Sequence, residues 1–222
     1  MGLTSNQKLI LQFFVSRIFI YASNSYLPNT IQIANRIVNI GNLIYPLGIF
    51  VLLAESNSTN LTDGLDGLLS GCSTLIFTGL AITILMKSQD TPETLSTLCI
   101  VMAGSCMGFL FHNKYPAKLF MGDSGSLAIG ASLGGIALIS NNLWPLFIMG
   151  GILAAESISV IIQVSIFKIA KRLKGNGYKL FLMAPLHHHF ELKGNNETVI
   201  VSSFWFVTLL LVIINLIFFI KL

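Results

Sequence analysis

Residues 198–220 read TVIVSSFWFVTLLLVIINLIFFI and contain no charged side chain. A helix needs about 20 mainly apolar residues to cross the hydrocarbon core of a bilayer, and this run is long enough. Further apolar runs of similar character lie upstream. The sequence therefore predicts about seven membrane-spanning helices, at 9–27, 43–56, 67–86, 94–112, 124–140, 143–167 and 198–220.

The composition agrees with a membrane protein. Hydrophobic residues make up 54% of the 222 residues and charged residues only 10%. Soluble domains carry about a quarter charged residues, so this chain has too few to cover a surface exposed to water. This argues against a soluble enzyme, a disordered chain and a nucleic-acid-binding module. We expect one all-α domain over 1–222, a polytopic helix bundle with membrane lipid around it and no nucleic acid partner.

The basic residues predict the orientation of the bundle. With seven spans, one side of the membrane receives most of them, namely Lys8, Lys114, Lys118, Lys168, Lys171, Arg172, Lys174, Lys179 and Lys193. The other side receives Arg36, Lys87 and Lys221. Because cytoplasmic loops are enriched in Lys and Arg, the first side is expected to be cytoplasmic. The inside segments are then 57–66, 113–123 and 168–197, and the outside segments are 28–42, 87–93 and 141–142.

Two kinds of residue inside the spans carry separate expectations. Arg17 lies in the first span and should face the bundle interior or extend toward the interface. The three cysteines, Cys72, Cys99 and Cys106, follow no metal-binding spacing, so we expect small buried side chains.

The first inside loop contains Asn60-Leu61-Thr62-Asp63-Gly64-Leu65-Asp66-Gly67. Asp63 and Asp66 are three residues apart and would share one face of a helical turn. The two glycines allow the backbone to approach a ligand or a neighbouring helix closely. A capped helix start with solvated carboxylates is the simpler interpretation. However, this concentration of Asp and Asn residues in one loop at the end of a span favours a functional site.

The second inside loop ends in Phe120-Met121-Gly122-Asp123-Ser124-Gly125-Ser126, directly before an apolar run. Asp123 would be an ordinary N-cap of that helix. Small residues around one carboxylate are also typical of a site for phosphate and a metal ion, since Mg²⁺ takes one or two carboxylates plus substrate phosphates. Lys114 and Lys118 could attract anions toward it.

The third inside loop contains three consecutive histidines, His187, His188 and His189, followed by Phe190 and Glu191. A zinc site is one interpretation, but adjacent histidines on a helix point in different directions and no cysteine is near. A phosphate or diphosphate partner suits imidazoles beside a basic loop better. The basic run at Lys171, Arg172 and Lys174 is expected to anchor the loop at an anionic leaflet.

Together, the stretches 60–68, 120–127 and 184–191 resemble the phospho-N-acetylmuramoyl-pentapeptide transferase family, within the polyprenyl-phosphate N-acetylhexosamine-1-phosphate transferases. The Asp-rich and Met-Gly-Asp motifs are similar across that superfamily, and His-His-His-Phe-Glu is typical of the muramoyl-pentapeptide branch. The segment Glu156–Val164 also fits. The resemblance covers essentially the whole chain.

The resemblance implies transfer of phospho-N-acetylmuramoyl-pentapeptide from UDP to undecaprenyl phosphate, with UMP and lipid I as products of this step of peptidoglycan synthesis. It implies Mg²⁺ as cofactor and an active side in the cytoplasm at the bacterial inner membrane. The implied catalytic residues are Asp63, Asp66, Asp123 and His187, with Asp123 and Asp63 holding the metal. The implied substrate-binding residues are Asn60, Asn113, Phe120 (on uracil), Gly122, Ser126, Gln163, His188 and His189.

The resemblance also implies that part of the family's pattern is missing. Members have about ten spans and this chain matches the last seven, so we expect it to lack an N-terminal third. That third includes an adjacent Asp-Asp pair, and no such pair occurs in the 222 residues.

Three alternatives follow from these observations. One is an inactive remnant of the enzyme. Another is a related transferase that uses UDP-N-acetylglucosamine, against which the histidine run argues. The third is a transporter, against which the carboxylates argue because they lie at span ends. The sequence leaves open whether the protein forms a homodimer.

Overall fold

The computed structural model describes residues 4–33, 36–87 and 93–220. Most of them are helical, as the sequence predicts. The helices are α1 (Ser5–Ala22), α2 (Ile44–Thr62), α3 (Leu68–Met86), α4 (Glu93–Asn113), α5 (Gly122–Ile139), α6 (Leu143–Met149), α7 (Gly151–Lys174), α8 (Leu186–Leu192) and α9 (Glu197–Ile220). Short 3₁₀ turns lie at Asn24–Tyr26 and Gly41–Leu43.

Five of these helices, α3, α4, α5, α7 and α9, are long and apolar enough to cross a membrane. The prediction of a helical membrane bundle is confirmed. The predicted spans at 9–27 and 43–56 also form helices, α1 and α2, but these do not meet the same criterion of length and hydropathy. The reason is their polar content: α1 carries Lys8 and Arg17, and α2 ends in the polar run 55–62.

The predicted single span 143–167 is wrong in one respect, because the helix is interrupted at Gly150. α6 ends there and α7 begins at Gly151. Two consecutive glycines weaken a helix since both lose more backbone freedom than other residues on folding. The tight turn predicted at 141–142 is present: Asn141 has a positive φ of 53°, and the Asn142 N–H donates to the Ala137 carbonyl at 2.8 Å.

The predicted outside segment 28–42 contains a small sheet, which the all-α expectation missed. Strands β1 (Thr30–Ile33) and β2 (Arg36–Asn39) pair antiparallel, with Thr30 opposite Asn39 and Ile31 opposite Val38. The segment is rich in β-branched residues, which favour strands. Of the predicted outside segment 87–93, residues 88–92 lie outside the described part of the chain.

The core of the bundle lies around α3, which packs against α4 and α9, whereas α2 packs against α5 and α7. Glycines permit two of these close approaches. A Cβ on Gly71 would overlap the Trp205 indole nitrogen in α9, and a Cβ on Gly130 would overlap the Glu55 carbonyl oxygen in α2. Small residues at helix contacts are the usual means of tight packing in membrane proteins.

The two expectations for residues inside the spans have clear outcomes. The three cysteines are buried, as predicted, and they are free thiols. Arg17 is exposed on α1 and so does not face the interior of the described bundle.

Hydrogen bonds between helices fix their relative positions. The Asn215 amide of α9 donates to Thr83 Oγ1 of α3 at 3.1 Å, and the Ser157 hydroxyl of α7 donates to Ser58 Oγ of α2 at 2.8 Å. At one end of the bundle these helices gather the turn 63–67, the segment 114–121 and α8. The sequence motifs lie in these three segments and in the adjoining ends of α2 and α5.

Candidate active site at one end of the bundle

Asp63 and Asp66 lie in the turn between α2 and α3, not in a helix. Asp63 follows the last residue of α2 with φ −79° and ψ 46°, and its N–H donates to the Thr59 carbonyl at 3.1 Å. Gly67 precedes α3 with φ +79°, a left-handed conformation that favours glycine. The expectation that the two carboxylates share a face of a helical turn is therefore wrong, because α2 ends at Thr62 and residues 63–67 form a turn.

Asp66 is engaged by the backbone of other segments. Its Oδ2 accepts the Ala117 N–H at 2.8 Å, and its own N–H donates to Glu197 Oε1 at 2.7 Å. These two bonds attach the segment 114–121 and the start of α9 to the turn. The contacts give Asp66 an organising role, and its assignment as a catalytic residue stays a prediction.

Asn113, at the end of α4, has a similar role. Its Oδ1 accepts the Gly67 N–H at 3.1 Å and the Ser70 hydroxyl at 3.0 Å, while its Nδ2 donates to the Leu119 carbonyl at 2.9 Å. The side chain is buried, so both ends of the amide hold the loops together. Contact between Asn113 and substrate stays a prediction.

Asp123 lies at the centre of a polar cluster formed by α1, α2 and α5. Its carboxylate accepts hydrogen bonds from Lys8 Nζ and, at 2.9 Å, from Asn60 Nδ2. Asn60 Nδ2 also donates to Ser126 Oγ at 3.0 Å. The N-cap of α5 is Met121, so Asp123 lies in the first helical turn and is not the cap that the simpler interpretation expected. The structure thus brings Asn60, Asp123 and Ser126 together.

Asp63 lies within electrostatic range of this cluster. Burial first, and then the negative charge of Asp123, raise the pKa of the Asp63 carboxyl to about 6. The hydrogen bond from Lys8, followed by the one from Asn60, instead lowers the pKa of Asp123. A cation near both carboxylates would stabilise their ionised forms. Among the described residues no group of three His, Cys, Asp or Glu side chains converges as a metal site. The assignment of Asp63 and Asp123 as metal ligands stays a prediction.

The aromatic and glycine positions next to Asp123 are open. Phe120 is 78% exposed, and a Cβ on Gly122 would meet no atom within 4 Å, although its φ of +66° favours glycine. An exposed ring three residues from a half-exposed carboxylate can stack on a planar group without rearrangement. This geometry agrees with the predicted role of Phe120, which stays a prediction.

The three histidines of α8 take three different environments, as expected for adjacent residues on a helix. His188 Nδ1 lies 2.6 Å from Glu191 Oε2, and His189 Nδ1 accepts the Leu182 N–H at 3.1 Å. His187 is buried, with its Nδ1 3.2 Å from Glu156 Oε2 and its ring beneath Gly64. A buried ring beneath the turn supports the backbone there, so direct contact of His187 with a diphosphate does not agree with this geometry.

Gln163 of α7 holds the segment that precedes α8. Its Oε1 accepts the N–H groups of Leu180 and Phe181 at 3.1 and 2.9 Å, and its Nε2 donates to the Phe181 carbonyl at 2.9 Å. Its predicted contact with substrate is untested, and its contacts in the structure are with the protein backbone.

Sequence reasoning missed three partners of the predicted residues: Lys8, Glu156 and Glu197. Each pairs with a residue distant in the sequence, Lys8 with Asp123 across 115 positions and Glu197 with Asp66 across 131. No local motif could reveal such a pairing. The one available signal was that Glu156 is an acidic residue inside an apolar span, a type that is rare in membranes and usually paired.

Comparison with known proteins places these features in a family. The family model for glycosyl transferase family 4 matches residues 1–141. A phospho-N-acetylmuramoyl-pentapeptide-transferase of Prochlorococcus marinus strain NATL2A is 79% identical over 99% of this chain and 60% of its own length. Proteins of the same name from P. marinus strain CCMP1375 and Synechococcus strain CC9605 are 53% and 51% identical, over 94% and 97% of this chain and 57% and 63% of their own lengths. The chain thus spans about 60% of the length of these relatives, and it belongs to glycosyl transferase family 4.

Proposed function

We propose that this chain forms most of an enzyme that transfers phospho-N-acetylmuramoyl-pentapeptide from UDP to undecaprenyl phosphate, releasing UMP and forming lipid I. The observation that carries the proposal is the cluster of Asp63, Asn60 and Asp123 beside the exposed ring of Phe120. The name of these relatives describes the same transfer of a phospho-N-acetylmuramoyl-pentapeptide group.

The donor set of this cluster fits Mg²⁺. Magnesium is held by oxygen ligands, typically one or two carboxylates plus substrate phosphates and water. Asp63 and Asp123 supply two carboxylates, and the negative charge of Asp123 contributes to the raised pKa of Asp63. Asn60 orients Asp123 through its Nδ2, so it acts as a support for the ligand. When bound, Mg²⁺ neutralises negative charge on the diphosphate and on the departing UMP.

The protein's own side chains bind the substrate and stabilise the negative charge that develops during the transfer. In the transfer, a phosphate oxygen of the lipid forms a bond to the sugar-bearing phosphorus, and the bond to the bridging oxygen of UMP breaks. Negative charge grows on that bridging oxygen, where fixed cationic groups stabilise it. Lys8 already lies at the Asp123 carboxylate, and Lys114 lies at the start of the same loop as Phe120. We assign Phe120 to the uracil ring and His188 and His189 to the nucleotide side.

The location follows from the same residues. The excess of Lys and Arg on the side that carries the three site segments supports a cytoplasmic active side at the bacterial inner membrane. UDP-linked sugars are cytoplasmic compounds, so the orientation and the proposed donor agree. The acceptor is a lipid phosphate, which reaches the site from the membrane around the bundle.

The proposal is tested by measuring lipid I in membranes that contain this chain together with the rest of the NATL2A relative's sequence. We expect lipid I from UDP-N-acetylmuramoyl-pentapeptide and undecaprenyl phosphate, and no product from UDP-N-acetylglucosamine. Equal turnover of the two donors would favour the related N-acetylglucosamine transferase. Absence of any product, with both polypeptides present and assembled, would favour the inactive remnant.

A further inference from the structure

A pair of buried polar side chains lies beneath the turn 63–67 and has no role in the transfer proposed above. Glu156 in α7 is fully buried, and the His187 side chain at the start of α8 is 1% exposed. Glu156 Oε2 lies 3.2 Å from His187 Nδ1, and Glu156 Oε1 accepts the His187 backbone N–H at 3.2 Å. One carboxylate oxygen thus accepts the His187 backbone N–H, while the other lies within ion-pair distance of the ring nitrogen without a hydrogen bond to it. The two contacts tie α8 to α7.

The His187 ring contacts the turn itself. A Cβ built on Gly64 would overlap His187 Nε2 and would lie 2.9 Å from Cε1, a distance that side-chain atoms do not tolerate. The φ of Gly64 is not in the left-handed region, since the glycines of positive φ among the described residues are others. Glycine is therefore required at position 64 because the imidazole fills the place of a side chain.

Other contacts hold the second half of the turn. Glu197 accepts the Asp66 N–H and Asn113 accepts the Gly67 N–H. The imidazole supports the first half, next to Asp63. The contacts with Glu156 hold the His187 ring in its position. Because the ring contacts Gly64, its position affects where the Asp63 backbone lies relative to Asp123.

We propose that Glu156 and His187 are a positioning pair for the nucleotide and metal site: Glu156 orients the imidazole, and the imidazole supports Gly64 so that Asp63 faces Asp123. This rests on the proposed function in assigning the turn to that site. Burial of a carboxylate and an imidazole costs free energy that an apolar pair would not. The site gains from it a turn of fixed geometry, which preorganised binding requires.

Hydrogen–deuterium exchange of the turn amides tests the pair without any ligand. In the purified chain, Gly64→Ala should raise the exchange rate of residues 63–67 by about tenfold, which corresponds to local opening of the turn. His187→Ala should do the same. In the double variant the alanine methyl occupies space that the ring has left, so the two effects should not add. Gly108→Ala is the matched control, because a Cβ there meets nothing within 4 Å.

The carboxylate is tested by two replacements. Glu156→Gln keeps a side-chain oxygen that can accept the His187 backbone N–H, whereas Glu156→Leu removes both oxygens. The glutamine variant should therefore loosen the turn less than the leucine variant. UDP affinity should fall in the same order while the Tm of Glu156→Gln stays within the range of the Gly108→Ala control. A merely structural role would lower Tm and leave the UDP affinity of the folded fraction unchanged.

Unchanged exchange at 63–67 in Gly64→Ala or Glu156→Gln, or strictly additive effects in the double variant, would overturn the pair. If Glu156→Leu does not fold, the glutamine and Gly64 variants decide. Failure of the proposed function gives a different result. In that case the variants still loosen the turn, but the unmodified chain binds no UDP.

Discussion

At the scale of single residues, the three aspartates of the motifs differ because their surroundings differ. Asp63 is partly buried and has a raised pKa, Asp66 accepts a backbone N–H of another loop, and Asp123 is half-exposed beside Lys8. A partly buried carboxylate that lies near a second negative charge is suited to holding a cation. An acid whose oxygen is engaged by the backbone is suited to holding a loop.

Replacing Asp123 with asparagine should reduce lipid I formation by about a thousandfold in the completed enzyme, since an amide cannot supply the charge that binds Mg²⁺. The fold should survive, because an amide oxygen still accepts from Asn60. Initial rates over a range of Mg²⁺ concentrations measure the effect. Asp123→Asn with a near-normal rate would mean that Asp123 serves only the first turn of α5.

Replacing Gly67 with alanine should lower the free energy of unfolding by about 1–2 kcal/mol, the cost of a left-handed conformation for a residue with a Cβ. The new Cβ would also lie 3.1 Å from Leu110 Cδ1. Thermal unfolding in detergent, followed by exposure of the buried cysteines, measures it. Gly108→Ala in the helix α4 should instead be neutral or slightly stabilising, and equal Tm values for the two variants would refute the argument.

At the scale of elements, the pairing of α2 with α5 brings the two acidic motifs together. Gly130 lets α5 approach the Glu55 carbonyl of α2, and about one helical turn further along, Thr59 Oγ1 donates to the Ser126 carbonyl at 2.7 Å. Asn60 then reaches both Ser126 and Asp123. The site depends on this helix contact as much as on the loops.

Replacing Gly130 with valine should therefore separate Asn60 from Asp123. We expect destabilisation of about 1–3 kcal/mol from overpacking, together with weaker UDP binding. Gly104→Val in α4 is the control, because a Cβ there meets nothing within 4 Å. Calorimetric titration of both variants with UDP tests it. Gly130→Val with unchanged affinity would show that the α2–α5 contact does not set the site.

How far the elements could be predicted depends on the range of the interaction that forms them. The apolar runs predicted the helices of the bundle because burial in lipid depends on local composition. The break at Gly150 arises from two consecutive glycines, and α2 continues as a helix through polar residues, so hydropathy alone could not locate either feature. The pairing of β1 with β2 was missed because the span prediction treats the segment 28–42 only as a connection between spans and does not weigh its β-branched residues. Glu156 and His187 pair across 31 positions, which a single sequence cannot reveal.

At the scale of the whole molecule, the described helices place every segment of the proposed site at one end. The turn 63–67, the segment 114–121, α8 and the start of α9 are joined there through Asp66, Gly64 and Glu197. The chain spans about 60% of the length of the NATL2A relative.

Cysteine labelling tests the predicted orientation. Asn176→Cys should resist a membrane-impermeant thiol reagent in intact cells and react after permeabilisation, because the segment after α7 is predicted to be cytoplasmic. Ile37→Cys, at a position that is 74% exposed in β2, should react in intact cells. Labelling with the opposite pattern would reverse the topology and exclude a cytoplasmic UDP-sugar as donor.

Dependence on the rest of the protein is a further expectation. Purified alone and supplied with Mg²⁺ and both substrates, the 222-residue chain should make no lipid I above background. In the proposed site its carboxylates hold the cation, but the family resemblance implies a further Asp-Asp pair, and no such pair occurs in the 222 residues. Robust UMP release by the isolated chain would show that Asp63, Asp66 and Asp123 suffice.

The most direct test of the central claim, that the turn 63–67 and the start of α5 form one nucleotide and metal site, is calorimetric titration of this chain with UDP in Mg²⁺ and in EDTA. We predict measurable binding that Mg²⁺ strengthens. Asp123→Asn should abolish the effect of Mg²⁺, and Phe120→Ala should weaken binding under both conditions. The matched control Phe50→Ala removes a similarly exposed ring from the middle of α2 and should change nothing. Two results would contradict the account. One is a UDP affinity that changes neither with Mg²⁺ nor in the two site variants, and the other is no UDP binding at all.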